Sequence, residues 1–151
     1  MRIVVDDLAG RQIAEFLEAH LRQMWATGPP ESHYVLNLDE LRRPEVTLWS
    51  VRDGEAVVGC GAIQRLDAGH AELKSMRTDP NRRRAGIASQ LLEHIIAEAK
   101  RMGYARLSLE TGTDEFFAPA RALYEKFGFT YCDPFADYRP SPHNTFMTRA
   151  L

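Results

Sequence analysis

The run Thr78-Asp79-Pro80-Asn81-Arg82-Arg83-Arg84-Ala85-Gly86-Ile87-Ala88 concentrates chemistry in one short stretch of the 151-residue chain. Pro80 ends an apolar alternating segment, and a long amphipathic segment opens at Gly86-Ile87. The first amides of a helix have no partner inside it, and the helix dipole adds about half a positive charge there. A helix start of this kind suits phosphate. Gly86 has no side chain to bar a close approach. Arg82, Arg83 and Arg84 add attraction and bidentate donors. A solvated charge run at the end of a surface helix has the same composition, so spacing alone leaves both readings open.

Other chemistries are excluded by pattern. There is no GxxxxGK[ST] and no GxGxxG after the first strand, so neither nucleotide loop is present. No G-x-S-x-G marks a hydrolase elbow. His70-Ala71-Glu72 has the H-x-E spacing of zinc deaminases without their PCxxC partner. His20, His33, His70, His94 and His143 form no HExxH or paired spacing, and no metal site is expected. Cys60 and Cys132 make no CxxC pair, which predicts two buried free thiols in a reducing compartment.

Lys plus Arg total 19 against 21 Asp plus Glu, a net charge of -2. That argues against a nucleic-acid coat, and no aromatics interleave with Arg82–Arg84. Hydrophobic residues make up 44% and charged residues 26%, ordinary for a folded globular protein. The length predicts one domain over residues 1–151. No apolar run approaches the ~20 residues that span a bilayer. Met1 to Asp7 reads as a strand rather than a signal peptide. These features predict a cytoplasmic protein with no membrane partner.

The elements that must position the loop follow from periodicity. Residues 2–6 read as a strand. Ile13, Phe16, Leu17, Leu21 and Met24 recur at helical spacing over 9–26, and Gly28-Pro29-Pro30 stops that helix. A short helix is expected near 38–42. Strands over 46–52 and 55–65 join at Asp53-Gly54, a hairpin signal. Asp67-Ala68-Gly69 turns into a strand over 70–78. Residues 87–102 form a helix with the apolar stripe Ile87, Leu91, Leu92, Ile95, Ile96 and Ala99, and Gly103 follows as its cap. Then come a strand over 105–110, a helix over 118–127 with Pro119 in its first turn, and strands near 129–132 and 144–150. The order β-α-(α)-β-β-β-α-β-α-β-β predicts an α/β fold with a mixed sheet.

Two blocks carry a family resemblance. Arg83-Arg84-Ala85-Gly86-Ile87-Ala88 resembles the [Q/R]-x-x-G-x-[G/A] motif of the GNAT superfamily of acyl-CoA-dependent N-acetyltransferases. Ala120-Arg121-Ala122-Leu123-Tyr124-Glu125-Lys126-Phe127-Gly128-Phe129 resembles its A-x-x-L-Y-x-x-x-G-F segment. About 35 residues, with one helix and one strand, separate the blocks as in that superfamily. Lys74-Ser75-Met76-Arg77-Thr78, Leu109-Glu110-Thr111-Gly112 and Phe146-Met147-Thr148 resemble phrases of small bacterial members. One position departs: Phe117 stands where the superfamily often has an Asn at the cofactor. An aromatic there packs against the cofactor arm or belongs to the core.

The resemblance implies a mixed, mostly antiparallel sheet of 6–7 strands flanked by about four helices. It implies acetyl-CoA as acyl donor. The pyrophosphate would rest on Arg83, Arg84, Ala85, Gly86, Ile87 and Ala88, with Ser89 just inside the helix. The pantetheine arm would run beside Met76, Arg77 and Thr78. A backbone N–H near Met76 or Arg77 would polarise the thioester carbonyl, and one such donor is typically worth ~3 kcal/mol.

The acceptor implied is an amine, which at a pKa of about 10 arrives protonated and needs a base. Glu72 is the candidate base, acting directly or through water. Strand alternation puts Glu72, Lys74 and Met76 on one face, where Lys74 could pair with Glu72. Tyr124 is the candidate proton donor to the leaving thiolate, or a hydrogen-bond donor to it. The acceptor pocket is expected from 31–37 and 134–144, where Tyr138, Arg139 and His143 either meet the substrate or face solvent. The acceptor is read as a small molecule, with a peptide amine and a homodimer left open. The alternative reading is a non-catalytic acyl-CoA-binding sensor of the same fold.

Overall fold

The computed structural model describes residues 1–26, 36–82 and 86–151. Arg83, Arg84 and Ala85, and the first residues of the expected 31–37 acceptor segment, lie outside the described residues. In chain order the elements are β1 (Arg2–Val5), α1 (Arg11–Trp25), α2 (Leu38–Leu41), β2 (Val46–Asp53), β3 (Ala56–Asp67), β4 (His70–Thr78), α3 (Ile87–Arg101), β5 (Arg106–Gly112), α4 (Ala118–Lys126), β6 (Thr130–Cys132) and β7 (Asn144–Ala150). Short 3-10 turns occupy Pro80–Arg82 and Glu115–Phe117.

The seven strands make one sheet in the order β1-β2-β3-β4-β5-β7-β6. Every pairing is antiparallel except β4 with β5. This is the mixed, mostly antiparallel sheet with four helices that the resemblance implies. No helix among the described residues is long and apolar enough to cross a membrane.

Apolar alternation gives the sheet two covered faces. On one, Trp49, Val51, Ile63, Leu73, Leu107 and Leu109 pack against the α3 stripe Leu91, Leu92, Ile95, Ile96 and Ala99 and against Tyr124 of α4. On the other, Leu48, Cys60 and Ala62 pack against Ile13 and Leu17 of α1 and Leu41 of α2. Asn37 caps α2 with a full capping box: its side chain accepts from the Glu40 N–H, and Glu40 accepts from the Asn37 N–H.

Two expectations need correction. Cys60 is buried but Cys132 is only half-buried, because β6 is a three-residue edge strand. The larger correction concerns β4. Cys60 pairs with Arg77 and Ala62 with Lys74, so Ser75 and Met76 together oppose the single residue Gly61. This is a β-bulge, with Ser75 at φ 57. The extra residue resets the alternation, so Met76 does not share a face with Glu72 and Lys74. It packs toward Leu91 and Ile95 of α3, within reach of Gly61. Arg77 returns to the α1 face, where its guanidinium lies 5.3 Å from the Phe16 ring centroid.

Candidate active site

The site begins where two strands separate. β4 and β5 pair in parallel from His70↔Arg106 to Leu73↔Leu109 and no further. Beyond that point Lys74–Thr78 and Glu110–Gly112 diverge, leaving a gap in the middle of the sheet. An unpaired strand edge exposes backbone donors and acceptors. Here that edge is β4, facing the gap.

A cleft of about 580 Å³ runs along this edge. Met76, Arg77 and Thr78 line it from β4, and Gly86, Ile87, Ala88 and Ser89 line it from the start of α3. Phe117 and Tyr124 close it from the α4 side. The structure thus brings together nine of the residues singled out in the sequence. His20, Gln23 and Met24 of α1 also line it and were not anticipated.

The α3 start has the features of an anion site. Gly86 sits at the N-cap with φ 74 and ψ 12, and no side chain caps the helix. The glycine is needed for that left-handed conformation. Among the described residues, a Cβ there would meet no atom within 4 Å. Arg82 borders the cleft but its guanidinium pairs with Asp53 of the β2–β3 hairpin. That leaves the uncapped amides as the feature of the described loop whose chemistry suits an anion.

Tyr124 is buried at 7% exposure, edge-on to Phe129. Burial first, and then the charge of Glu110, push its phenol pKa up. Phe117 packs over Gly112 at the end of β5 and stands edge-on to Phe116, with ring centroids 4.9 Å apart. It therefore belongs to the cleft wall and to local packing at once.

Glu72 is not among the residues lining the cleft. It lies on the α1 face, buried, where its carboxylate accepts from Lys74 Nζ at 3.2 Å and from the Tyr138 hydroxyl. Lys74 also donates to the Tyr138 oxygen at 3.0 Å. Tyr138 thus comes from the expected 134–144 segment, in an aromatic cluster with Phe135 and Phe146.

The carboxylate that sequence reasoning passed over is Glu110. Like Glu72 it is not among the residues lining the cleft; it is the first β5 residue beyond the last β4–β5 pair, and it accepts from Asn144 Nδ2 of β7. Burial raises its pKa to about 7, against the opposing pull of Asn144 and Lys74. A carboxyl group titrating near neutrality is poised to exchange protons at physiological pH. Glu110 also influences Tyr124 electrostatically. The signal in the sequence was an acidic residue alternating with buried Leu107 and Leu109.

On the α1 side, burial and then Arg77 lower the His20 pKa to about 4, so the ring is neutral at pH 7. Gln23 accepts from Arg77 on the same helix face.

The chain is similar to known proteins in sequence and in fold. The model of the Acetyltransferase (GNAT) family matches residues 10–129. The chain is 52% identical, over the full length of both, to the uncharacterized N-acetyltransferase YsnE of Bacillus subtilis (strain 168). It is 46% identical to the uncharacterized N-acetyltransferase YedL of Escherichia coli (strain K12), across 99% of this chain and 94% of that one. Its fold matches a GNAT family acetyltransferase of Elizabethkingia anophelis solved with acetyl-CoA bound, with a TM-score of 0.67 at 17% identity, covering 99% of this chain and 97% of that one.

Proposed function

The chain belongs to the acetyltransferase (GNAT) family and is an acyltransferase, and on that premise we propose that it moves an acetyl group from acetyl-CoA to a primary amine of a small molecule, by direct attack in a ternary complex. The observation that carries this reading is the cleft along the freed edge of β4, which joins the uncapped start of α3 to Tyr124 and passes the gap that Glu110 borders. A diphosphate would rest on the uncapped amides at Gly86, Ile87 and Ala88 of the α3 start, and the basic side chains of Arg83 and Arg84 next to them in sequence add charge attraction to it. An extended pantetheine arm fits the β4 edge at Met76, Arg77 and Thr78, and the Phe117 ring gives it an apolar wall. Acetyl-CoA supplies an activated acyl thioester, whose C–S bond breaks as the new C–N bond forms, and the leaving thiolate takes up the second proton that the acylated nitrogen sheds.

Glu110 is the proposed base. The acceptor arrives as an ammonium ion of pKa about 10, and its proton passes to the Glu110 carboxylate. A base with a pKa of about 7 is substantially ionised at neutral pH yet basic enough to take part. Glu72 holds Lys74 and Tyr138, which makes it a positioning residue in this reading. Tyr124 faces the departing sulfur. Its raised pKa makes it a weak acid, so its main contribution is a hydrogen bond to the developing thiolate. A backbone N–H of Met76 or Arg77 stabilises the thioester oxygen as negative charge builds, an effect worth ~3 kcal/mol for one donor.

The test pairs calorimetric titration of acetyl-CoA with a thiol-release assay over a panel of amines. Glu110→Gln and Tyr124→Phe are expected to retain cofactor affinity and to lower kcat, the former by roughly 10²–10⁴-fold. Failure to bind acetyl-CoA at millimolar concentration, or binding without transfer to any amine, overturns the proposal.

A further inference from the structure

The gap between β4 and β5 has lips of opposite charge. Leu73 and Leu109 form the last parallel pair, and both belong to the core on the α3 face. One step further along each strand, alternation turns Lys74 and Glu110 to the other face. The contacts agree: Lys74 meets Tyr138, and Glu110 meets Asn144. The two groups interact electrostatically across the opening. On β4 the bulge brings Arg77 round to the same face as Lys74, so two cations stand there against the one carboxylate of Glu72.

We infer that the acceptor is a zwitterion, an amino acid with a free carboxylate beside its amine. Its ammonium group would lie against Glu110 on the β5 lip, and its carboxylate against Lys74 on the β4 lip. This rests on the proposed amine acetylation and deepens it. The Lys74 side chain is only 9% exposed and shares its charge with Glu72 at 3.2 Å; a lysine ammonium only donates hydrogen bonds, so it offers a second cation no acceptor. The position is therefore hostile to a diamine and complementary to a carboxylate. Glu72 and Tyr138 use two of the three donors of the Lys74 ammonium. A lysine ammonium carries three, which leaves one for the ligand. Selectivity then comes from attraction to one partner and from repulsion of its competitors.

The experiment uses the full chain with acetyl-CoA. The kcat/KM values for free amino acids are compared with those for the amides of the same amino acids and for simple diamines. Free acids are expected to exceed their amides and the diamines by at least tenfold, with the difference mainly in KM. Des-amino acids of the same skeleton are expected to compete with the acceptor and not with acetyl-CoA. Lys74→Met should collapse the ratio of free-acid to amide kcat/KM toward one, whatever it does to overall turnover, and Lys74→Arg should keep the ratio.

Amides or diamines turned over as well as free acids by the wild-type enzyme would overturn the inference and leave amine acetylation standing. That wild-type comparison decides the matter even if Lys74→Met does not fold. A folded Lys74→Met enzyme with an unchanged preference also overturns it. Acetyl-CoA bound with no amine of any class acetylated would overturn the proposed reaction, and this inference with it.

Discussion

The Phe117 ring occupies the space that a side chain on Gly112 would need: a Cβ built there lies 2.9 Å from Phe117 Cγ and closer still to the ring edge. Gly112 ends β5 and Phe117 lines the cleft, so the pair links the strand to the cleft wall. Gly112→Ala should therefore push the ring toward the cleft. The expected result is a several-fold rise in KM for acetyl-CoA and a stability loss of ~1–3 kcal/mol, the usual range for overpacking. Kinetics and thermal melts check it. An unchanged KM would mean that the ring yields in another direction.

Glu110 should set the acid limb of the pH–rate profile. The carboxyl must be ionised to accept a proton, so kcat/KM should rise with pH through about 7. Stability runs the opposite way. Burial raises the folded pKa above its unfolded value near 4.3, so the folded state favours the protonated form. That contribution is complete below about pH 4 and is lost as pH rises through about 7. Glu110→Gln should remove both the kinetic limb and this decline. An acid limb that persists in the variant would assign it to another group.

His20 behaves in the reverse sense. Burial, aided by Arg77, holds its folded pKa at about 4. The unfolded value is ~6.5. The stabilisation is therefore present above about pH 6.5 and is lost as pH falls through about 4, because the unfolded chain binds the proton first. His20→Gln should flatten the stability curve between those limits in chemical-denaturation series. Equal slopes for both proteins would show that the ring charges freely in the folded state.

Local signals made much of this molecule legible, and long-range ones did not. Gly86 is legible because it stands between a proline-stopped strand and an amphipathic stripe, where the chain must turn sharply into a helix and a glycine turns most easily. Tyr124 stands out through its motif, and the hairpin at Gly54 through Asp-Gly. The alternation of Glu72, Lys74 and Met76 misleads because the bulge sits on Ser75, a residue with none of the glycine signature that would announce it. Glu110 is hidden for a different reason. Its importance comes from where a parallel pairing ends, and that depends on strands more than 30 residues apart. His20 lies among the apolar positions of α1, and only its packing beside Arg77 gives it a role.

Ser75 offers the sharpest test of how the fold serves the chemistry. Its φ of 57 lies in the left-handed region, which side chains rarely adopt. Its carbonyl accepts a hydrogen bond from the buried Cys60 thiol at 3.2 Å. The bulge turns Met76 toward α3 and Arg77 toward α1, so both cleft-lining residues owe their facing to this one position. Ser75→Gly removes the steric strain and should be neutral to mildly stabilising, with kinetics near wild type. Ser75→Val places a β-branched side chain where it fits worst and should destabilise by ~1–3 kcal/mol. If the bulge relaxes instead of the whole protein unfolding, Met76 and Arg77 exchange faces. The KM for acetyl-CoA should then rise more than the melting temperature loss alone would explain. A valine variant with wild-type stability and KM would show that the strand tolerates regular alternation, and that the bulge is not what seats the cofactor edge.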